Sequence, residues 1–115
     1  MAAIAKSRGI GCHSVYCLGW FINLFTEQAG FKVPFKYDFS VDGVTSISTD
    51  PHKFCYGPKG ASVILFRNKE LRRSTFIGIN SWNGGMYVTP TLAGSRSGAI
   101  IAGTWAALMK QGKEG

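Results

Sequence analysis

At 115 residues, with 45% hydrophobic and 17% charged side chains, the chain has the length of one domain and a globular composition, which excludes disorder as its resting state. A net charge of +7 admits an anionic partner, but the 13 lysines and arginines are spread along the sequence, so a small basic nucleic-acid-binding protein rests on charge alone, without a motif. Three cysteines, Cys12, Cys17 and Cys55, cannot all pair within one chain and no signal peptide precedes them, which favours a reducing, cytoplasmic setting.

Met1 to Arg8 has helical composition, and Gly9 follows as a C-terminal stop. Ile10 to Tyr16 reads as a short strand, and Leu18 to Ala29 as a helix with Trp20, Phe21, Leu24 and Phe25 crowding one side and Gly30 ending it. The most apolar run, Val15 to Phe25, is about half the ~20 residues that a spanning helix requires. Val33 to Asp42 holds Pro34 and three aromatics and reads as a packed loop. Gly43 to Ser48 and Ala61 to Phe66 are strands. Pro51 and Pro58 lie between them, so a crossover helix is not expected and the two strands are antiparallel neighbours or lie apart. Asn68 to Ser74 has the length of one or two helical turns, and Arg67, Lys69, Arg72 and Arg73 read as a solvated basic face there. Thr75 to Ile79 is a further short strand. Ser81 to Gly98, SWNGGMYVTPTLAGSRSG, lacks any period and reads as a long loop, and Ala99 to Lys110 as a closing helix whose small residues suit close packing.

The stretch that carries chemistry is DPHKFCYGPKG, Asp50 to Gly60. A lysine amine is a useful nucleophile when its surroundings fix its position, and pyridoxal phosphate uses such an amine as an anchor. Lys53 follows a strand, Pro51 stiffens its approach, and His52 beside it has a donor for a phosphate. Taken alone, a His-Lys pair is more often an ordinary loop feature.

The segments VDGVTSISTDPHKFCYGPKGASVILFRNKELRR and SWNGGMYVTPTLAGSRSG resemble the sphingosine-1-phosphate lyase family, pyridoxal-phosphate enzymes of fold type I related to the amino-acid decarboxylases. The likeness runs from about Gly9 to Gly112. It implies an α/β fold: the central part of one large domain over residues 1–115, with a mostly parallel sheet and one antiparallel strand after the lysine loop. It also implies that Lys53 anchors the cofactor as an imine and then acts as an acid–base group. By the same resemblance His52 helps hold the cofactor phosphate, His13 borders the cofactor, and Gly94, Ser95 and Arg96 lie near the site or a dimer contact. The reaction implied is cleavage of a sphingoid-base phosphate to a fatty aldehyde and phosphoethanolamine. In eukaryotic members it takes place in a homodimer at the cytosolic face of the endoplasmic reticulum membrane.

Two departures stand against activity. The family carries histidine-valine-aspartate before CLGG, the aspartate pairing with the cofactor's ring nitrogen. Here His13-Ser14-Val15-Tyr16 precedes Cys17-Leu18-Gly19-Trp20, so Val15 replaces the carboxylate and Trp20 a glycine. The family's enzymes are also several times longer, so the chain is expected to be an inactive fragment or a non-catalytic interaction relic. Cys12, His13, Cys17, His52 and Cys55 admit a zinc reading, but adjacent Cys12 and His13 point to opposite faces of a strand, and buried free thiols are the simpler account. Trp82, Tyr87 and Trp105 read as core or interface aromatics, and His13 by itself as a packed strand histidine.

Overall fold

The computed structural model describes residues 1–112. In chain order it contains α1 (Ala2–Ser7), β1 (His13–Val15), α2 (Trp20–Thr26), β2 (Ser46–Thr49), β3 (Val63–Phe66), α3 (Lys69–Arg73), β4 (Ile77–Ile79), β5 (Tyr87–Thr89) and α4 (Gly98–Gln111). Gly9, at φ 66°, turns the chain out of α1 as its position implies.

β2 is the centre of a three-stranded sheet in the order β1-β2-β3. β1 runs parallel to it, with His13 opposite Ser46 and Val15 opposite Ser48. β3 runs antiparallel, with Ser46 opposite Phe66 and Thr49 opposite Val63. The expected antiparallel pairing after the lysine loop is therefore present, because the proline-bearing connection makes turns and no crossover helix. The expectation of a mostly parallel sheet is overturned. Among the described residues one pairing is parallel and two are antiparallel, the third being the separate two-stranded sheet of β4 and β5. That hairpin also corrects the reading of Ser81 to Gly98 as unbroken loop: Tyr87-Val88-Thr89 pairs with Ile77-Gly78-Ile79 across the glycine-rich turn.

Alternation along β2 sends Ile47 and Thr49 to the buried face and Ser46 and Ser48 to the opposite one. Ile47, Val44, Cys55 and Ala5, with Pro51, make the small core. α1 closes one edge of it, where Gly43, at φ 100°, lies against the Ala2 carbonyl, and Lys6 pairs with Asp42 beside this contact. Tyr16 and Tyr37 stack with ring centroids 3.7 Å apart, and Trp20 meets both rings edge-on. This cluster fastens the 33–42 loop to the start of α2, and burial with the adjacent Tyr16 pushes the Tyr37 phenol up to about 12. Arg67, Lys69, Arg72 and Arg73 are all exposed, as expected, but Arg67 precedes α3 and is tied down on the surface. Its guanidinium donates to the Val41 and Phe39 carbonyls at 2.8 and 3.0 Å and lies over the Phe39 ring.

The accessible surface is 8837 Å², whereas a compact monomer of this mass exposes about 6,200 Å². The radius of gyration, 17.0 Å, likewise exceeds the ~13 Å of a compact chain this long. The extents, 57 × 41 × 18 Å, describe a slab. Among the exposed residues are Phe25, Phe31, Ile64, Met86, Trp82 and Trp105, so the two tryptophans are not core aromatics here. Among the described residues no helix is long and apolar enough to cross a membrane.

Candidate active site

The loop leaving β2 is wound on its own backbone. The Lys53 amide donates to the Asp50 carbonyl at 3.1 Å, the Tyr56 amide to Lys53 at 3.1 Å, and the Gly57 amide to Pro51 at 2.9 Å. Tyr56 sits at φ 56°, a left-handed conformation that costs a non-glycine residue about 1 kcal/mol or more and that the closed turns hold in place. α4 lies against the loop from outside. Gly103 admits Pro58 at van der Waals range, and the Gln111 amide donates to the Cys55 carbonyl at 2.9 Å. Of the small residues of α4, Gly103 thus serves a close approach, whereas Ala99, Ala102 and Ala106 are exposed.

At the head of this loop the Lys53 Nζ is 3.0 Å from Asp50 Oδ2, and both side chains are largely covered. Ser62, at the far end of the loop, donates to the other Asp50 oxygen at 2.8 Å. The Cys17 thiol and the Asp50 carboxylate beside Lys53 hold its ammonium above the usual lysine range. The lysine and serine hydrogen bonds in turn hold Asp50 below the usual carboxylate range. His52 Nδ1 donates to the Ala61 carbonyl at 3.1 Å, and Nε2 lies 4.0 Å from Asp50. With Nδ1–H committed, Nε2 can donate to an anion only as imidazolium.

His13 is an exposed strand residue rather than a packed one. Its Nδ1 meets the Ser46 hydroxyl at 2.8 Å and its Nε2 the Ser48 hydroxyl at 3.1 Å. Val15 shares this sheet face and is 70% exposed, an apolar side chain where a carboxylate was expected from the resemblance. Lys53 and His52 are thus brought together with Asp50, and His13 stands on the neighbouring strand face. Gly94 and Ser95 are elsewhere, in the loop after β5. There Gly94, at φ 66°, lies under the Tyr87 hydroxyl, and Arg96 donates to the Ala93 and Ser95 carbonyls. Among the described residues no hydrogen bond joins that turn to the lysine loop.

Sequence reasoning passed over Asp50, Ser62 and the two β2 serines. Asp50 stands three residues before Lys53 in a turn, and Ser46 and Ser48 alternate on one strand face; both spacings were legible signals. Of the cysteines, only Cys55 is fully buried; Cys12 and Cys17 are half-buried. Among the described residues no three metal-ligating side chains cluster. An apolar cavity of about 550 Å³ opens on another side of the loop, lined by Phe21, Phe25, Phe54, Tyr56 and Leu108.

No family model matches the chain. It is 49% identical over all 115 of its residues to the sphingosine-1-phosphate lyase of Arabidopsis thaliana, of which it covers 21%. Over its whole length the chain resembles one fifth of a sphingosine-1-phosphate lyase. The solved sphingosine-1-phosphate lyase of Burkholderia pseudomallei superposes on 99% of the chain with a TM-score of 0.89 and 46% identity, the match taking up 26% of that structure. The glutamate decarboxylase of Lactobacillus brevis matches 96% of the chain with a TM-score of 0.69, covering 25% of its own length. At 20% identity that last likeness shows the fold alone, a kinship between lyase and decarboxylase scaffolds. The chain spans 21–26% of the length of these sphingosine-1-phosphate lyases.

Proposed function

We propose that this chain is the lysine-bearing part of a pyridoxal-phosphate-dependent carbon–carbon lyase of the sphingosine-1-phosphate lyase type. The full enzyme would cleave a sphingoid-base phosphate to a fatty aldehyde and phosphoethanolamine. The observation that carries the reading is the Lys53 amine, set on a closed loop at the end of β2 and held at 3.0 Å by Asp50. A covalent anchor needs a fixed amine of this kind.

The residues fit the anchoring of pyridoxal phosphate better than the activation of its ring. Lys53 would hold the aldehyde carbon, and His52, as imidazolium, would face the phosphate. Bound pyridoxal phosphate supplies an electron sink beside the bond that breaks. His13 offers a ring already oriented by two hydroxyls. Val15 offers no acceptor for a protonated ring nitrogen, and among the described residues no hydrogen bond joins Gly94 or Ser95 to the loop. A homodimeric enzyme at the cytosolic face of the endoplasmic reticulum membrane is the setting that the resemblance carries.

A second reading, a chain that keeps the scaffold without turning over, is favoured by exposed Val15 and by the surface excess. Borohydride reduction after incubation with pyridoxal phosphate, followed by peptide mapping, tests the first. Label concentrated on Lys53 supports the anchor, whereas label spread equally over Lys53, Lys59 and Lys69 removes it.

A further inference from the structure

We propose that Asp50 is the positioning residue of the lysine loop, an ionic latch that holds the Lys53 amine in place and holds it as an ammonium until a ligand displaces it. This deepens the reading of Lys53 as the anchoring amine and rests on it. The geometry is a chain of fixed contacts. The Asp50 amide donates to the Cys17 carbonyl at 3.3 Å, which ties the loop's first residue to the chain just beyond β1. One carboxylate oxygen accepts from Ser62 at 2.8 Å, which leaves the other turned toward Lys53 at 3.0 Å. Buried Pro51 follows directly and restricts the backbone, so the carboxylate cannot swing away with a loose turn.

The groups that face the Lys53 amine are the Cys17 thiol and the Asp50 carboxylate, and His52 Nε2 lies 4.0 Å from the same Asp50 oxygen that Lys53 meets. Asp50 is the acid in this set. An amine in such a pair is well placed but poorly nucleophilic, because nucleophilic attack needs the deprotonated form. A ligand bringing its own anion to His52 would compete for Asp50's counter-charges and loosen the latch as it arrives. The sequence carries the device economically: aspartate and lysine three apart across a turn that proline starts.

Competitive acetylation with limiting acetic anhydride across a pH series, read by mass mapping, measures the amine without any cofactor. Lys59, in the same loop, is the internal reference, so the ratio is insensitive to how far the chain associates. We expect Asp50→Asn to raise Lys53 acetylation relative to Lys59 by about threefold below the lysine pKa, the scale of a partly exposed ion pair. Asp50→Glu is expected to keep the wild-type ratio, and molar salt to raise the ratio in the unmodified chain but not in Asp50→Asn. An unchanged ratio in Asp50→Asn, an equal rise in Asp50→Glu, or a flat salt response of the unmodified chain each overturns the latch. Failure of pyridoxal phosphate to label Lys53 would sink the functional reading while leaving these ratios as they are, so the two failures are distinguishable.

Discussion

Val15 stands opposite Ser48 in the parallel pairing of β1 with β2, on the sheet face where His13 is held between Ser46 and Ser48. On that face β1 and β2 therefore present two hydroxyls, an imidazole and a valine, and Val15 offers no acceptor. A charge-assisted hydrogen bond contributes roughly 1.5–3 kcal/mol, which is about one to two powers of ten in rate. We expect no measurable cleavage of a sphingoid-base phosphate by the 115-residue chain. Val15→Asp alone is not expected to restore it. The same substitution in a chain extended to the length of its relatives is expected to do so. Product formation by the unmodified chain that Lys53→Ala abolishes would overturn the expectation.

The surface makes a second expectation. Val63 and Ile64 of the edge strand β3, together with Phe25, Phe31 and Trp105, leave large apolar areas in water. Open strand edges add unpaired backbone donors and acceptors. Expressed alone, the chain should self-associate or be poorly soluble. Light scattering that shows a monodisperse monomer with a sharp thermal transition would contradict this.

Thr49 is 1% exposed, and its hydroxyl has no partner among the described residues. A buried unpaired hydroxyl costs about 1–3 kcal/mol, and valine has nearly the same shape without it. Thr49→Val should therefore stabilise the central sheet by about 1 kcal/mol, seen as slower amide exchange in β1, β2 and β3. Ile47→Ala, at a fully buried site one turn of the pleat away, should cost about 2–5 kcal/mol in the same measurement. Faster exchange in Thr49→Val would mean that its hydroxyl has a partner after all.

Acid should release the 33–42 loop. The Ser40 side chain and amide hold Asp38 below its ordinary range, and Asp50 is lowered by Lys53 and Ser62. A carboxylate whose folded pKa is depressed stabilises the fold fully above the unfolded value of about 4 and loses that contribution as pH falls through the folded value. Near-ultraviolet dichroism of the Tyr16, Trp20 and Tyr37 cluster, beside Asp38, should fade below that pH. A signal independent of pH between neutrality and about pH 2 would show that these carboxylates contribute nothing.

The sequence by itself determined the elements with a local cause. Gly9 stops α1, β-branched and apolar runs make β2 and β3, and the two prolines between them disfavour a crossover helix, which left an antiparallel pair or two separate strands until the pairing of Ser46 with Phe66 decided it. It also marked Lys53 as the residue to watch, because the residues around it form a motif in consecutive positions. What it left undecided depends on contacts between distant residues. Pairing of Ile77 with Thr89 made the second sheet out of a glycine-rich stretch with no period, since a short hairpin is set by its partner strand more than by its own pattern. Arg67 became a loop clamp because the carbonyls of Phe39 and Val41 curl toward it. Asp50 meets Lys53 locally, but its second partner, Ser62, lies 12 residues away and those of His13, Ser46 and Ser48, lie 33 and 35 away, and only the register of β1, β2 and β3 brings these within hydrogen-bond reach. Register is a cooperative property of paired strands, and for that reason the polar surroundings of Lys53 were settled by the tertiary structure and the lysine itself by the sequence.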